Sequence, residues 1–573
     1  MPAGRVFCIF LYRAAVIKGS PLLASAGAAH FIKYSCIFNY FYRISTPSPG
    51  IATKITLPSA FGEGPRHAKS PAVPDAVVIG SGPNGLCAAA YLARAGLSVT
   101  VLEASATPGG AVQSKELTLA GFTHDIGAAF FPFGQTSPAL LPLELTGAGL
   151  VWKHAPMDSA HPAPDGTCAA IARDLEASVQ AFGEDGDAWR KIALWHRNTR
   201  DRLLNALLST PPAIGPMLRL GIGGLIRLAR VALSSGRGYS QSMFRTEAAR
   251  RVIPGLALHT DIGPDDSCGA VVGFMLAVLA SSGGFAVPEG GAGSITKALL
   301  RRIDEGGGRV VCGARVAKIL VRNGRAVAVR TESGDEIQAS RAILADVGAP
   351  ALYLRLLEGA RPPGRIERAM RRFRHGFGTF KMDWALDGPV PWSNEIAARS
   401  AVIHAGDSLD DLSAFTREVR SGALPSHPYL VIGQQSLADP TRAPLGRHTL
   451  WAYSRVPSIP REGSWEGRRD EFADRIEARI EELAPGFRKR ILARAIFAPP
   501  DLERMNENLV GGDLGGGSAD IRNQLIFRPV FPYFRYRTPF RGLYLASSYA
   551  HPGAGVHGAC GRNAALAALA DEG

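Results

Sequence analysis

The sequence predicts an α/β protein with two interleaved lobes, and three observations along its 573 residues lead to this class. The apolar run Ala76–Ile79 is followed by a glycine-rich turn and an alanine-rich helix, which is how a parallel-sheet unit begins. A short apolar strand and a second glycine loop occupy residues 542–558, close to the carboxyl terminus. Between them, residues 151–283 have a mostly helical pattern and residues 351–500 contain aromatic strands. A second lobe of mixed sheet and helices is therefore expected.

Gly80, Gly82 and Gly85 form a G-x-G-x-x-G pattern directly after the first strand. The first glycine permits a tight turn, the second lets a pyrophosphate approach the backbone, and the third lets helix and strand pack closely. The helix is expected over residues 84–95, with N–H groups and a positive dipole end offered to an anion. Glu103 ends the next strand 18 residues after Gly85, where its carboxylate can accept hydrogen bonds from ribose hydroxyls. These features predict a Rossmann-type dinucleotide site, the alternative being a glycine-rich turn in another kind of α/β protein.

The chain is expected to return to the first lobe after its helical segment. Strands are predicted near residues 310–311, 316–321 and 342–345, and Asn323-Gly324 is a strong signal for a two-residue hairpin turn. A strand at residues 542–546 and a helix over residues 556–570 are expected to close the lobe. The first lobe is assigned to residues 73–150, 284–350 and 501–573, and the second to residues 151–283 and 351–500.

Several stretches carry a family resemblance. Glu103 is followed by the paired Gly109-Gly110, then by Phe-Thr-His-Asp-Ile-Gly at residues 122–127, and the carboxyl end reads His-Pro-Gly-Ala-Gly-Val-His-Gly at residues 551–558. Together with residues 285–291, 383–388 and 536–539, these stretches resemble the carotenoid and retinoid oxidoreductases. These are the phytoene desaturase relatives within the flavin amine-oxidase superfamily, and they include the pyridine nucleotide-disulfide oxidoreductase domain-containing protein 2 group. The likeness spans about residue 74 to the carboxyl terminus.

The resemblance implies a two-dinucleotide-binding flavoprotein fold that carries FAD. Motif and resemblance together assign cofactor contact to Gly80, Ser81, Gly82, Pro83, Asn84, Gly85, Glu103, Gly109, Gly110, Ala111, Val316, Gly555 and Val556. The double glycine would follow the diphosphate and ribityl chain, and Val316 would lend backbone groups to the adenine, unless it belongs to an ordinary hairpin. Gly555 and Val556 would contact the flavin, unless their loop and helix are only structural. Many superfamily members have an arginine where this chain has Ala111, so that arginine contact is not expected.

Candidates for catalysis lie in the carboxyl-terminal loop. Flavin oxidation of a C–H bond requires the donor carbon to be held over N5 and does not always require a protein base. Tyr549, His551 and His557 are nearest the expected ring, and a histidine there could accept a proton. Each serves equally well to orient the loop. Asp125 is expected to make only strand-end hydrogen bonds.

Two helical stretches bear on the substrate. Residues 217–233 are apolar, with Arg219, Arg227 and Arg230 on one face, as in a helix that lies on a membrane surface; the alternative is a solvent-exposed basic face. Residues 267–288 contain no charged side chain over 22 positions, but glycines and a proline near the end favour a buried helix and loop over a membrane span. If residues 217–233 form such a surface helix, an apolar polyene or isoprenoid could enter the protein from a bilayer.

The amino-terminal leader is unusually basic. Residues 1–70 hold eight Lys and Arg and one acid, which accounts for +7 of the net charge of +14. Residues 1–72 are predicted to be a disordered or mis-started leader; the alternatives are a mitochondrial presequence and a membrane anchor. The expected location is cytoplasmic with peripheral membrane contact, or mitochondrial with a genuine presequence.

Other classes of function find little support in the sequence. The body of the chain has no compact basic cluster with interleaved aromatics, so no nucleic-acid partner is expected. The seven cysteines are scattered without a C-x-x-C pair, so neither a metal site nor a disulfide framework is expected.

The sequence predicts an FAD-dependent oxidoreductase that desaturates an apolar, carotenoid- or isoprenoid-like small molecule by hydride transfer to flavin. A flavin amine oxidase or saturase of the same superfamily is one alternative. A flavin-loaded interaction or regulatory protein is the other.

Overall fold

A five-stranded parallel sheet carries the dinucleotide unit. The computed structural model of the protein describes residues 73–461 and 463–572, so the predicted leader lies outside the described residues. Across the sheet the strands follow the order Leu543–Leu545, Ala342–Ala345, Ala76–Ile79, Val99–Leu102 and Arg309–Val311. The central strand Ala76–Ile79 is buried along its length and pairs in parallel with both neighbours. The predicted α/β fold with a Rossmann-type lobe is confirmed.

The first and last helices of the described chain pack so closely that their backbones are in contact. The first covers Pro83–Arg94 and the last covers Ala559–Glu572. The last helix begins three residues later than predicted, because Gly558 has a φ of +68°, outside the helical range. A Cβ atom on Gly561 would lie only 1.9 Å from the carbonyl oxygen of Asn84, so only glycine fits at this contact.

A three-stranded antiparallel sheet extends the first lobe. It consists of the strands Val316–Arg322, Arg325–Thr331 and Glu336–Gln338. Asn323 and Gly324 join the first two with φ values of +50° and +72°, as the predicted two-residue hairpin requires.

The second lobe is built on a seven-stranded mixed sheet. Its strands follow the order Ile491–Phe497, Gly378–Leu386, His448–Val456, Leu430–Gly433, Ser400–Ala405, Met157–Pro162 and Cys168–Ile171. Alternate residues of Gly378–Leu386 face opposite sides of the sheet. Phe380 packs on Phe472 of the helix Arg469–Leu483, with ring centroids 5.0 Å apart. Lys381, one residue on, faces a cavity instead.

The remaining elements lie mostly around this sheet. Further helices are Leu175–Ala181, Gly186–Leu208, Ile214–Leu218, Gly221–Ala232, Gly236–Met243, Glu247–Arg250, Val252–Ala257, Ala270–Ala280, Gly293–Glu305, Ala349–Ala351, Leu352–Leu356, Gly364–Arg371, Glu395–Ala398, Leu409–Arg420, Gln435–Ala438 and Pro499–Met505. Short strands pair Ser114–Glu116 with Thr123–Asp125, and Trp152–Lys153 with Val287–Pro288. The uncharged stretch over residues 267–288 forms the predicted buried helix, Ala270–Ala280. Within the part of the chain that the structure describes, no helix has both the length and the apolar character needed to cross a bilayer.

Replacing Gly561 by alanine is expected to destabilise the protein, because the added Cβ would lie 1.9 Å from the Asn84 carbonyl oxygen and must push the two helices apart. Overpacking of this kind costs about 1–3 kcal/mol of the free energy of unfolding, which chemical denaturation measures. G223A is the matched control, because Gly223 is helical and has open space around its Cβ position. Equal stability of the two variants would contradict the packing argument.

Candidate active site

A cavity of about 850 Å³ lies where the two glycine-rich ends of the chain meet. Residues 79–84 line it from the amino-terminal side, and residues 554–557 line it from the carboxyl-terminal side. Its walls continue along the mixed sheet and the helices of the second lobe. The two loops, distant in sequence, therefore face the same ligand space.

Most residues assigned to the cofactor line this cavity. They are Gly80, Ser81, Gly82, Pro83, Asn84, Glu103, Gly110, Ala111, Val316, Gly555 and Val556. Gly85 and Gly109 lie behind the wall, and their amides are used within the protein. The Gly85 N–H donates to Asp346 Oδ2 at 2.8 Å, and the Gly109 N–H donates to the Ser81 carbonyl at 3.1 Å. These two glycines shape the turns that carry the cavity wall.

The glycine turns leave no room for side chains. A Cβ on Gly82 would lie 2.6 Å from Asp346 Oδ2, and a Cβ on Gly85 would lie 2.3 Å from the Gly80 carbonyl oxygen. A Cβ on Gly110 would lie 3.0 Å from the Cα of Gly82, so the two turns stack against each other. The backbone of both turns therefore stays close to the cavity, as recognition of a pyrophosphate requires.

Two polar side chains complete this end of the cavity. The Glu103 carboxylate accepts hydrogen bonds from the Ser81 N–H (2.8 Å), the Ser81 hydroxyl (2.6 Å) and the Ser105 N–H (2.8 Å). It thus fixes the glycine turn while it faces the position predicted for the ribose. The buried Oδ1 of Asn84 has no hydrogen-bond partner among residues 73–461 and 463–572. This orphaned acceptor fits a ligand that brings its own donor.

Asp346 is a buried carboxyl group that no local sequence pattern singles out. It follows the strand Ala342–Ala345 and closes against the glycine turn, where it accepts the Gly85 N–H. Burial raises the pKa of Asp346 to about 7, and the nearby charge of Glu103 adds to this effect. A proton on Asp346 would reduce its repulsion of an anion bound at the same turn.

The carboxyl-terminal loop holds the three catalytic candidates at the cavity, and each has a backbone partner. His551 Nε2 donates to the Leu207 carbonyl at 3.0 Å, and His557 Nδ1 accepts the Ala559 N–H at 3.0 Å. The Tyr549 hydroxyl donates to the Asn508 carbonyl at 2.9 Å. Burial lowers the pKa of both histidines to about 4, so the rings are neutral at physiological pH. These bonds orient the loop, and a catalytic role for the three stays a prediction.

Arg528 also lines the cavity and supports the same loop. Its fully buried guanidinium donates to the carbonyl oxygens of Ser548, Gly515 and Gly516, each at 2.8 Å. It therefore ties two glycine-containing segments together at the cavity wall. Sequence reasoning missed it, since nothing local separates it from the other arginines. Asp125, in contrast, has a structural role as predicted, accepting from Ser114 Oγ and the Ala292 N–H at 2.7 Å each, but it also forms a buried ion pair with Arg442 at 2.9 Å that was not expected.

The other half of the cavity is apolar and aromatic. Its aromatic lining is Phe130, Phe131, Phe133, Phe285, Phe377, Trp451 and Tyr453. Aliphatic side chains come from the helices Ile214–Leu218, Gly221–Ala232 and Ala270–Ala280. The polar groups on this side include His259, Lys381 and Arg455. Lys381 forms an ion pair with Asp383, which is completely buried.

Comparison with known proteins gives the site a chemical context. The family model for flavin-containing amine oxidoreductases matches residues 84–485. Pyridine nucleotide-disulfide oxidoreductase domain-containing protein 2 of Mus musculus is 29% identical, over 87% of this chain and 93% of that protein. Phytoene desaturase (neurosporene-forming) of Rhodobacter capsulatus is 24% identical, over 86% and 93%. A solved oxidoreductase from Methanosarcina mazei shares the fold, with a TM-score of 0.59 at 19% identity, over 86% and 99%.

The residues of the cavity fit FAD. The stacked glycine turns leave space for a diphosphate, Glu103 faces the ribose position, and Asn84 offers an unpartnered acceptor. The second glycine loop reaches the same cavity through Gly555 and Val556. The cofactor of this protein is FAD.

The raised pKa of Asp346 predicts a specific dependence of stability on pH. Between the unfolded value of 3.8 and the folded value of about 7, the folded protein binds more protons at this group. Its contribution to stability is therefore lost as the pH rises, by at most about 1.4 kcal/mol per pH unit. D346N, whose amide oxygen can still accept the Gly85 N–H, should gain stability relative to the wild type from pH 4 to 7. If D346N and the wild type differed by the same free energy of unfolding at every pH, this assignment would be contradicted.

Proposed function

Because this chain belongs to the family of flavin-containing amine oxidoreductases, we propose that it dehydrogenates an apolar, isoprenoid-like substrate and leaves a new carbon–carbon double bond. The observation that carries the proposal is the apolar and aromatic wall of the cavity beyond the glycine loops. Bound FAD supplies the acceptor for the hydride. The residues of the chain bind the cofactor, hold the substrate carbon against it and keep water out.

Charged groups in the wall favour an uncharged substrate over a protonated amine. Arg455 lines the cavity beside the aromatic residues and donates to the Leu258 and His259 carbonyls and the Thr379 hydroxyl, all neutral groups, so its positive charge opposes the approach of an ammonium group. The carboxylate of Asp261 also lines the cavity, but it accepts hydrogen bonds from the Ser518 hydroxyl (2.5 Å) and the Ala519 N–H (2.7 Å). A hydrocarbon gains free energy from burial against the apolar wall. It carries no charge to be repelled and does not need the Asp261 carboxylate as a partner.

The name of the Rhodobacter capsulatus relative supports a desaturation. That protein is a phytoene desaturase, and this chain aligns with it over nearly its full length. Phytoene is a long hydrocarbon, so the name and the apolar wall lead to the same chemical class of substrate.

An exposed surface on the second lobe suggests how such a substrate arrives. Large apolar side chains recur there at helical spacing and are 60–80% exposed: Ile214, Leu218, Ile222, Ile226 and Leu233. Arg219, Arg227 and Arg230 are exposed among them. The inward residues Met217, Leu228 and Ala232 of the same segment line the cavity. We propose that this segment lies on an anionic membrane surface and passes apolar substrate to the site.

Anaerobic reduction of the bound flavin tests the substrate class. Addition of a polyene or other isoprenoid in lipid vesicles is expected to bleach the visible flavin absorption of the purified protein, because hydride transfer reduces the ring. Putrescine and monoamines, added in the same way, should leave the absorption unchanged. Bleaching by amines but not by any isoprenoid would favour an amine oxidase and overturn the proposal.

Charge and apolar changes on the surface segment test the membrane contact. The double variant R227E/R230E is expected to bind anionic vesicles more weakly, since each basic residue near such a surface contributes about 1 kcal/mol. I222S/I226S should weaken binding through lost apolar burial. Vesicle co-sedimentation measures both effects. L445S is the matched control, because Leu445 is fully exposed elsewhere on the protein. Unchanged binding of both double variants would contradict the proposed contact.

A further inference from the structure

The two stacked glycine turns carry backbone donors that the protein itself does not use. The N–H groups of Gly82, Gly110 and Ala111 donate to no other group among residues 73–461 and 463–572. All three residues line the cavity. A Cβ on Gly110 would lie 3.0 Å from the Cα of Gly82, so these donors come from two turns in direct contact. Unused N–H groups gathered at one place favour an anion there.

The basic side chains of the cavity wall are already engaged within the protein. In the described part of the chain they are Arg315, Arg355, Lys381, Arg455, Arg504 and Arg528. Four of them form ion pairs with carboxylates, and the other two donate to backbone carbonyl groups. Beside the glycine turns stand two carboxyl groups instead, those of Glu103 and Asp346. A diphosphate at these turns therefore relies on uncharged N–H donors.

Asn506 adds a side-chain donor beside these backbone groups. It follows the helix Pro499–Met505 with an extended backbone, and it lines the cavity. The Cβ position built on Gly110 lies 3.6 Å from the nitrogen of Gly82 and 3.9 Å from Asn506 Nδ2, so both nitrogens surround the same point. Among the residues that the structure describes, Asn506 uses only its side-chain oxygen in a hydrogen bond. Both N–H bonds of its amide are therefore free.

The opposite end of this amide is fixed by the next turn of the chain. Asn506 Oδ1 accepts the Asn508 N–H at 3.1 Å, and only the oxygen of an amide can accept, so the nitrogen must point the other way. Asn508 ties the segment to the first lobe. Its Oδ1 accepts the Gly348 N–H at 2.7 Å, and its carbonyl accepts the Tyr549 hydroxyl at 2.9 Å. The free donor is thus oriented before any ligand binds.

We propose that the Asn506 side-chain amide binds the diphosphate of FAD, together with the free N–H groups of Gly82, Gly110 and Ala111. Phosphate oxygens accept hydrogen bonds and carry negative charge, so an NH₂ group suits them and a carboxylate at the same place does not. Asn84 has a different part, because its unpartnered buried atom is an oxygen, which suits a hydroxyl group of the cofactor. The assignment concerns the cofactor alone and holds whatever the substrate is.

Two substitutions of Asn506 separate cofactor binding from a merely structural role. N506A removes the donor and also the acceptor of the Asn508 N–H, whereas N506D keeps an oxygen for that N–H and puts a negative charge in place of the donor. Dilution of the holoprotein, followed by the fluorescence of released FAD, measures the dissociation constant. N506A should bind FAD at least about tenfold more weakly, as for a lost hydrogen bond to a charged group, and N506D more weakly still.

A control and a second measurement complete the test. N198D makes the same change of charge at an exposed position of the helix Gly186–Leu208, outside the cavity lining, and should retain FAD like the wild type. In ³¹P NMR spectra of the holoproteins, the diphosphate resonances of FAD should shift in N506A and N506D but not in N198D.

Wild-type affinity in N506D, with weaker binding in N506A, would mean that Asn506 only holds Asn508, and this would overturn the proposal. Unchanged affinity and unchanged phosphorus resonances in both variants would overturn it as well. Neither measurement involves turnover, so a failure of the proposed dehydrogenation leaves this test intact.

Discussion

The backbone contact between the first and last helices determines where the cofactor binds. Gly561 meets the Asn84 carbonyl at a distance that no other residue allows, so the two ends of the chain are held side by side. The turns at Gly82 and Gly110 stack within the same lobe and bring a second stretch of bare backbone to the same place. Both glycine loops then open into one cavity, and the site depends on this closeness more than on any single polar contact.

Electrostatics differs sharply between the two halves of that cavity. At the nucleotide end, two carboxyl groups stand close together, and burial together with the charge of Glu103 keeps a proton on Asp346 over part of the physiological pH range. At the substrate end, burial lowers the pKa of His259 to about 3, with the Arg455 guanidinium adding to this effect, and burial also lowers the pKa of His404 well below its usual range. An uncharged substrate suits the substrate end of the cavity. A charged group buried there would lose its hydration and find few partners to replace it.

The mixed sheet serves two purposes through the alternation of its strands. One face carries the apolar core under the helix Arg469–Leu483, and the other carries Lys381, Trp451 and Tyr453 along the cavity. Parallel pairing of Met157–Pro162 with Ser400–Ala405 adds a polar row on part of this sheet. The register that stabilises the core therefore also stacks the rings of His161 and His404, whose centroids are 4.6 Å apart.

Local pattern by itself determined the G-x-G-x-x-G turn, the Asn323-Gly324 hairpin and the buried helix over Ala270–Ala280, because short-range geometry and apolar periodicity are written in adjacent residues. The resemblance to a known family added the FAD cofactor and the class of reaction, an oxidoreduction. Only the tertiary structure revealed Asp346 against the glycine turn, Arg528 beside the carboxyl-terminal loop, and the contact between His259 at the cavity and the buried His404. These groups come from distant segments with no shared spacing, and their chemistry arises from burial and strand register, which exist only once the chain has folded.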